Sequence, residues 1–538
     1  MDTLALYPPY RKFIIPENLC FSTYNDQRDY FFNSFYNISL KKLKNMSNIN
    51  KTSERWTIVF VLIFSVALLS CASNSAANEY SSWFDKGNAL VESGKLEQAI
   101  ESYDKALQIK PYSHEAWTNR SGALLKLYRF KEALESADKA LQFKPDFYMA
   151  WTNRGNALDQ LGRFKEAIES ADKALQFNPD FYIAWNNRGV ALINLGRNKE
   201  ALESADKALQ FKPDSYTAWT NRSWALLNLG RNKEVLESAD KALQFKPDFY
   251  MAWYNRGFAL LNLGRFREAL ESADKALQFK PDYHGAWTNR SGALLNLGRF
   301  KEALESADKA LQFKPDYHGV WTNRSGALLN LGRFKEAFES ADKALQFKPD
   351  SYIAWTNRSG ALLKLDRFKE ALESADKALQ FKPDYYIAWT NRSGALMNLG
   401  RFKEGLESTN KALQFKPDFY MAWGNRGVAL LSLGRFKEAL ESTDKALQFK
   451  PDSYIIWSNR SGALLNLGRF KEAFESTDKA LQIKPDSHEA WTNRGVALLS
   501  LGRFKEGLES VDKALQIKPN FETARKVRTL LLDELKKP

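Results

Sequence analysis

The chain has 538 residues, 44% of them hydrophobic, which is enough apolar surface to bury a large core. Both of its cysteines, Cys20 and Cys71, lie near the amino terminus, so the rest of the chain has neither a disulfide nor a thiolate site. The net charge of +14 is spread thinly along the chain. This argues against a nucleic-acid-binding patch and favours a weak attraction to an anionic surface or an acidic partner.

Residues 1–45 differ in kind from everything that follows them. They are rich in aromatic residues and asparagine, and they contain no repeat. One interpretation is a disordered or poorly structured extension. The other is that translation starts at Met46 and not at Met1. We favour the second, because a complete export signal follows Met46.

Residues 46–72 have the pattern of that export signal. A basic segment precedes the apolar run Trp56–Leu69, and small residues surround Cys71. The segment resembles a bacterial lipoprotein box, in which the cysteine is lipidated and becomes the new amino terminus. The alternative is an uncleaved transmembrane anchor, although the run is shorter than the roughly 20 residues that span a bilayer. Either way we expect a membrane-associated, extracytoplasmic protein of the bacterial periplasm or envelope, with residues 73–79 as a linker.

From residue 80 to residue 521 the sequence repeats every 34 residues. Tryptophan returns at this spacing thirteen times, and Val320–Asp350 differs from Ala286–Asp316 at only two positions. The sequence therefore predicts an array of small units and not several globular domains. We number the positions of each repeat from 1 to 34, with His284 as position 1 of the seventh repeat.

Each repeat predicts two amphipathic helices. Positions 4, 7, 8, 11 and 14 form one stripe, and positions 17, 20, 21, 24, 27 and 28 form a second, fully apolar one. Glycine at position 15, which is Gly298 in the seventh repeat, ends the first helix, and Pro315 ends the second. We expect Asp316 to cap the helix that follows. One such hairpin cannot bury both stripes alone, so neighbouring repeats must stack.

The repeat resembles the tetratricopeptide repeat family. The matching residues of the seventh repeat are Trp287, Ser291, Leu294, Ala303, Ala310 and Pro315. The resemblance implies an all-α, right-handed α-solenoid (a superhelix) of thirteen helix-turn-helix units over residues 80–521, closed by a capping helix at 522–538. Arginine at position 7 departs from the family, which usually has leucine there. Position 24 is alanine or threonine in most repeats, where the family usually has a large residue. We expect the arginine stem to fill part of the space this leaves, while its charged head reaches water.

Asparagine occupies position 6 in twelve consecutive repeats, and a helical wheel places this position opposite the buried stripe of the first helix. The twelve residues are Asn119, Asn153, Asn187, Asn221, Asn255, Asn289, Asn323, Asn357, Asn391, Asn425, Asn459 and Asn493. The resemblance implies that first helices line a concave groove, so we expect this ladder of amides to bind the backbone of an extended peptide. It is similar to the ladder of the O-linked N-acetylglucosamine transferases, although the chain has no glycosyltransferase domain. The alternative is that the amides serve the fold by bonding within or between helices.

Other positions modify the expected groove. Glycine is frequent at position 9, where it would clear the floor, and asparagine is frequent at position 13. Trp224, Tyr254 and Phe258 interrupt the uniform pattern in the fifth and sixth repeats, which makes them candidates for peptide selectivity. Surface aromatics left by sequence drift are the alternative.

The sequence contains no constellation typical of an enzyme. No repeat concentrates a nucleophile, a base and an orienting group, and the four histidines have no second ligand at metal spacing. We therefore predict no catalysis, no cofactor, no metal and no nucleic-acid partner. The predicted function is a membrane-tethered scaffold that binds partner proteins or extended peptides, similar to bacterial lipoproteins of this family that assist envelope assembly. The alternative is a non-catalytic regulatory or targeting subunit of an enzyme complex.

Overall fold

The computed structural model describes residues 76–537, and every regular element in that range is a helix. The chain divides into two compact units, Met1–Pro281 and Asp282–Pro538. The predicted extension, the export signal around Trp56–Leu69 and the lipidation candidate Cys71 lie outside the described residues. The described part of the first helix already includes residue 76, so the last four residues of the predicted linker are helical.

Twelve helices of the first unit and fifteen of the second are described. In the first unit they are α1 (76–92), α2 (Leu96–Ile109), α3 (His114–Lys126), α4 (Phe130–Phe143), α5 (Tyr148–Gln160), α6 (Phe164–Phe177), α7 (Tyr182–Asn194), α8 (Asn198–Phe211), α9 (Tyr216–Asn228), α10 (Asn232–Phe245), α11 (Tyr250–Asn262) and α12 (Phe266–Phe279). In the second unit they are α13 (His284–Asn296), α14 (Phe300–Phe313), α15 (His318–Asn330), α16 (Phe334–Phe347), α17 (Tyr352–Lys364), α18 (Phe368–Phe381), α19 (Tyr386–Asn398), α20 (Phe402–Phe415), α21 (Tyr420–Ser432), α22 (Phe436–Phe449), α23 (Tyr454–Asn466), α24 (Phe470–Ile483), α25 (His488–Ser500), α26 (Phe504–Ile517) and α27 (Glu522–Lys536). Odd numbers from α1 to α25 are the first helices of the repeats, and even numbers are the second helices. The predicted all-α solenoid of helix pairs is confirmed.

The turn inside each repeat depends on position 15. Eleven glycines at this position have φ between +70° and +78°. Glycine adopts this left-handed conformation without a steric penalty, which is why it ends the first helix so regularly. Tyr128 and Asp366 occupy the position in two repeats and take the same conformation, with φ of +61° and +57°. Both residues therefore carry backbone strain that the glycine repeats avoid.

The prediction that Asp316 caps the following helix is wrong. Pro315 and Asp316 form the turn between helices, and α15 begins after Tyr317, whose side chain makes no cap. The capping position is therefore position 34. Four of the five serines at this position form a true cap, as when Ser351 Oγ accepts from the backbone N–H of Ala354 at 3.4 Å, whereas Ser453 makes no cap.

Stacking within each unit follows one rule. First helices of successive repeats contact one another, whereas the described second helices of each unit contact only first helices among their neighbours. The first helices therefore line one continuous side of each unit, which we call the first-helix face. The core between the two helices is tight, since Leu328 at position 11 and Ala337 and Ala344 on the second helix are fully buried.

Arginine at position 7 joins neighbouring repeats. In the ninth repeat, Arg358 Nε donates to Asp342 Oδ1 at 2.6 Å on the preceding second helix. Its Nη1 donates to Ser374 Oγ at 2.7 Å on the second helix of its own repeat. The guanidinium lies 5.7 Å from the ring centroid of Trp355, whose Nε1 donates to Pro349 O at 2.8 Å. The charged head therefore binds an aspartate, where we expected it to reach water.

The closing helix α27 behaves as a cap of the second unit. Ala524, Val527 and Leu531 are buried against the last repeat, whereas Leu530 on the opposite side is 54% exposed. Val527 stands at position 6, where the internal repeats have asparagine. Its burial indicates that position 6 faces the neighbouring repeat.

Candidate functional site

The position-6 asparagines lie between first helices of neighbouring repeats. Asn357 Nδ2 donates to the backbone oxygen of Thr322 at 3.1 Å, and Asn391 Nδ2 donates to that of Thr356 at 3.1 Å. The same bond to position 5 of the preceding repeat is made by Asn153, Asn187, Asn255, Asn323, Asn425 and Asn493. The ladder therefore holds successive repeats together, as the alternative interpretation of the sequence proposed.

The helical wheel misplaced these residues for a physical reason. A wheel assumes one buried stripe, but a first helix in a stacked array packs on two sides, against its own second helix and against the preceding first helix. In four repeats the amide bonds to another side chain across the same joint. Asn119 Nδ2 donates to Asn88 Oδ1 at 2.9 Å, and Asn221 Nδ2 donates to Asn186 Oδ1 at 3.5 Å. Asn255 Nδ2 also donates to Ser223 Oγ at 2.7 Å, and Asn493 Nδ2 also donates to Ser461 Oγ at 2.9 Å.

Burial divides the twelve asparagines into two sets. Those that are buried are Asn119, Asn153, Asn221, Asn255 and Asn289. Those that are half-buried are Asn187, Asn323, Asn357, Asn391, Asn425, Asn459 and Asn493. An amide carries two N–H donors and an acceptor oxygen, and in Asn323, Asn357 and Asn391 the one side-chain bond to the preceding repeat uses a single N–H. These half-buried asparagines of the second unit therefore have polar capacity left for a ligand.

The neighbouring positions of the first-helix face are of two kinds. Glycine at position 9 makes room for the adjacent first helices, since a Cβ on Gly326 would lie only 3.1 Å from Leu295 Cδ1. Position 13 is exposed from the sixth repeat onward, and Asn330 Nδ2 there donates to the backbone oxygen of Gly326 at 2.8 Å. Position 2 is apolar in several repeats of the second unit, where Met421 is 44% and Ile455 is 54% exposed. A row of amides thus runs beside a row of accessible apolar side chains.

The expected aromatic selectivity residues are mostly inaccessible. Trp224 and Tyr254 are buried, with ring centroids 5.8 Å apart, and Phe258 is half-buried with its ring 6.4 Å from that of Tyr254. Burial also raises the pKa of the Tyr254 hydroxyl. Trp224 stands at the position-9 site that faces adjacent first helices in other repeats. The prediction that all three rings face a ligand is therefore corrected: Trp224 and Tyr254 fill the interior, and Phe258 alone is partly accessible.

Asp159 is a functional candidate that the sequence analysis did not identify, because it considered positions that hold the same residue in many repeats. It occupies position 12 of the third repeat, where the other twelve repeats have Leu, Ile, Val or Met. Its side chain is only 8% exposed. Asn194 Nδ2 donates to Oδ1 at 3.0 Å and Gln160 Nε2 donates to Oδ2 at 3.3 Å. Burial raises the pKa of the carboxyl to about 6, and the two amides oppose this rise. No cation in the described part of the chain forms an ion pair with it.

The carboxyl lines a small cavity of about 50 Å³ on the first-helix face of the first unit. Its walls include the side chains of Asn156, Gln160, Asn187 and Thr217, with Asn186 deeper inside. A comparison of each repeat with the others would have revealed the site, because a carboxylate at an otherwise apolar position is visible in the sequence alone.

Wider grooves lie between consecutive second helices of the second unit. Two of them, with volumes of about 970 and 790 Å³, have Trp389 with Arg392 and Trp355 with Arg358 among their lining residues. Acidic side chains, lysine and glutamine line their sides. Because these grooves reproduce the tryptophan–arginine pair that joins successive repeats, they differ little from one another, although the groove around Trp389 has Asn410 where the groove around Trp355 has Asp376.

Within residues 76–537, no three histidine, cysteine or carboxylate side chains are grouped so that they could hold a metal ion. No helix in the same range combines the length and the apolar character needed to cross a bilayer.

Comparison with known families gives a direct result. Models of the tetratricopeptide repeat match residues 122–180, 152–216, 288–352, 322–386, 358–418, 250–283, 420–453, 488–521 and 87–128, which together span more than half of the chain. The chain belongs to the tetratricopeptide repeat family. A model of the protein prenyltransferase alpha subunit repeat also matches residues 232–263 and 470–501, each a second helix with the first helix that follows it.

Solved structures with a similar arrangement are other tetratricopeptide repeat arrays. The APC/C hetero-tetramer Cut9–Hcn1 aligns with a TM-score of 0.55 at 14% identity, over 83% of this chain and 95% of that chain, which shows a shared fold. Yeast Tom70 aligns at 19% identity over 85% and 95% of the two chains, with a TM-score of 0.33. YrrB, described as having an unusual peptide-binding site, aligns at 23% identity over 35% and 96%, with a TM-score of 0.29. No curated protein matches the chain.

Proposed function

We propose that this tetratricopeptide repeat array is a scaffold that binds extended polypeptide segments along its first-helix face. Membership of a family of protein-binding arrays supports the general function. The observation that carries the particular surface is the row of half-buried asparagines in the second unit, beside an apolar row at position 2. We expect binding to be strongest over the eighth to eleventh repeats.

The amide row fits a peptide backbone. In Asn323, Asn357 and Asn391, the bond to the preceding repeat is the only hydrogen bond made with described residues. Each amide therefore offers one N–H and one oxygen to a ligand. An extended segment presents backbone donors and acceptors in alternation, so it can use both groups with little regard to its sequence.

The apolar row fits peptide side chains. Met421 and Ile455 expose large parts of their side chains, and Ile353 and Ile387 at the same position are half-buried. Side chains of the bound segment would cover this surface and gain about 25 cal/mol per Å² of apolar area removed from water. The amides are already oriented by their bonds within the fold, so their ordering costs little on binding.

Affinity selection of a peptide library on the full chain tests this function. A variant with Asn357→Ala and Asn391→Ala is expected to lose affinity for the selected peptides by about tenfold or more. The matched control is Asn255→Ala, because Asn255 makes the same bond to the preceding repeat but is fully buried. The control is expected to lower stability and to keep the peptide. Equal loss in both variants, after correction for folding by circular dichroism, would contradict the proposal.

We also propose that the scaffold is tethered at an extracytoplasmic membrane surface by the segment that precedes residue 76. The support is the basic, apolar and small-residue pattern, with lipidation at Cys71 or an uncleaved helix around Trp56–Leu69 as the two possible anchors. Intact mass of the native protein distinguishes them. A mass that begins at a lipidated Cys71 is expected, and the Cys71→Ser variant is then expected to leave the membrane fraction. A protein recovered entirely free of membrane, with residues 46–72 intact, would overturn the tether.

A further inference from the structure

The cavity around Asp159 combines a buried carboxyl with several departures from the repeat. Asn156 stands at position 9, where many repeats have glycine, and Asn186 stands at position 5, where most have threonine. Gln160 and Thr217 are likewise unusual at positions 13 and 2. In an array whose units are otherwise nearly copies, these changes converge on a single cavity, and each of the residues has a polar side chain.

Among the described residues, the Asp159 carboxyl is hydrogen-bonded only to neutral groups. Its two oxygens accept one hydrogen bond each, from the neutral amides of Asn194 and Gln160. A buried carboxylate without a cation is unfavourable, because the loss of hydration is not offset by an opposite charge. A leucine at this position, as in nine other repeats, would avoid that cost. The cavity is therefore organised around a negative charge that a cationic ligand would balance.

We propose that the Asp159 cavity is a selectivity site for a primary ammonium group, supplied by a lysine side chain of the polypeptide bound on the first-helix face. This inference rests on the proposed function, since it takes a further polypeptide segment to lie on the first-helix face of the first unit, over the third to fifth repeats. It adds a chemical preference that the uniform amide row lacks.

The small free volume of the cavity, about 50 Å³, and its hydrogen-bonding groups favour an ammonium over a guanidinium. An ammonium is a compact charge with three N–H donors, whereas a guanidinium is a broad planar group with five. Asp159 can accept one N–H, and Asn156 and Asn187, whose side-chain amides each have an acceptor oxygen, line the same cavity. The aliphatic stem of a lysine would pass the half-buried Val190 at the rim.

A double-mutant cycle on the full chain tests the proposal. Peptides are selected on the wild type, acetylated at the amino terminus, and each lysine is replaced in turn by norleucine. Affinities are then measured for the wild type, Asp159→Leu and Asp159→Asn. Asp159→Leu restores the residue of nine other repeats and is expected to fold, and Asp159→Asn keeps the shape while it removes the charge.

One lysine replacement is expected to weaken wild-type binding by about tenfold and to change binding to either variant by less than about twofold. Equal losses in the wild type and both variants, or selected peptides without lysine, would overturn the site. If acetylation of the amino terminus alone abolishes binding, the ammonium group in the cavity is that of the peptide's amino terminus, and the proposal of a lysine side chain is wrong. If peptide affinity depends on Asn357 but the effect of replacing a lysine is the same in the wild type and in the Asp159 variants, only this inference fails. If no peptide binds the wild type, the proposed function fails with it.

Discussion

Arg426 Nε donates to Asn410 Oδ1 at 3.1 Å across the joint between the tenth and eleventh repeats. One repeat earlier the same joint has a charged pair, in which Arg392 Nε donates to Asp376 Oδ1 at 2.7 Å. The chain therefore contains both a charged and a neutral version of one joint in an almost identical setting. This gives an internal comparison of what the aspartate contributes.

We expect Asn410→Asp to stabilise the second unit and Asp376→Asn to destabilise it. Both partners of the Arg392 pair are partly exposed, so each change is about 0.5 kcal/mol, near the middle of the range for such pairs. Urea unfolding midpoints at low and high salt provide the measurement. The effect should shrink at high salt, because screening weakens a partly exposed ion pair. Midpoints that stay unchanged in both variants would show that the joint depends on packing alone.

Position 15 gives a second prediction, on backbone strain. Asp366 has φ of +57°, and its counterparts Gly332 and Gly400 have φ of +75°. Asp366→Gly is expected to raise the free energy of unfolding by about 1 kcal/mol, because glycine adopts this conformation without a steric cost. Gly400→Asp is the reciprocal change and should lower stability by a similar amount. Thermal unfolding of the two variants would test this, and a loss of stability in Asp366→Gly would contradict it.

The Asp159 carboxyl gives a third prediction, on the pH dependence of stability. Its folded pKa of about 6 lies above the ordinary value of 3.8, so the unfolded state releases this proton more readily. The group therefore lowers stability as pH rises from about 4 to about 6 and has its full effect above that, up to about 3 kcal/mol. The unfolding midpoint of the wild type should fall relative to Asp159→Leu across this window. Parallel midpoint curves for the two proteins would contradict the raised pKa.

The sequence predicted the helix pairs well because their signals are local. The apolar stripes, the glycine at position 15 and the proline at position 32 act within one repeat, and the structure has the helices they indicate. The errors concern contacts between repeats. Asp316 was misjudged because the turn occupies two residues before the next helix, and the arginine at position 7 was assigned to water because its partner lies in the preceding repeat.

The candidate site was harder to predict for the same reason. A helical wheel shows the apolar stripe that packs on the second helix of the same repeat, but it does not show the contact with the adjacent first helix. It therefore places Asn255 and Trp224 at the surface, although both are buried. Residues that recur in nearly every repeat include structural residues as well as any that bind a ligand, so recurrence alone does not distinguish the two. Asp159 was detectable as a departure from the copies, but its burial and its neighbours depend on how three repeats stack.

The most direct test of the account is hydrogen–deuterium exchange on the full chain, with and without a selected peptide. Protection of backbone amides is expected in the first helices α15, α17, α19 and α21, while the second helices α16, α18 and α20 exchange as before. This result would place the ligand on the first-helix face. Protection confined to the second helices, with the first helices unchanged, would instead place it in the grooves around Trp355 and Trp389 and contradict the central claim.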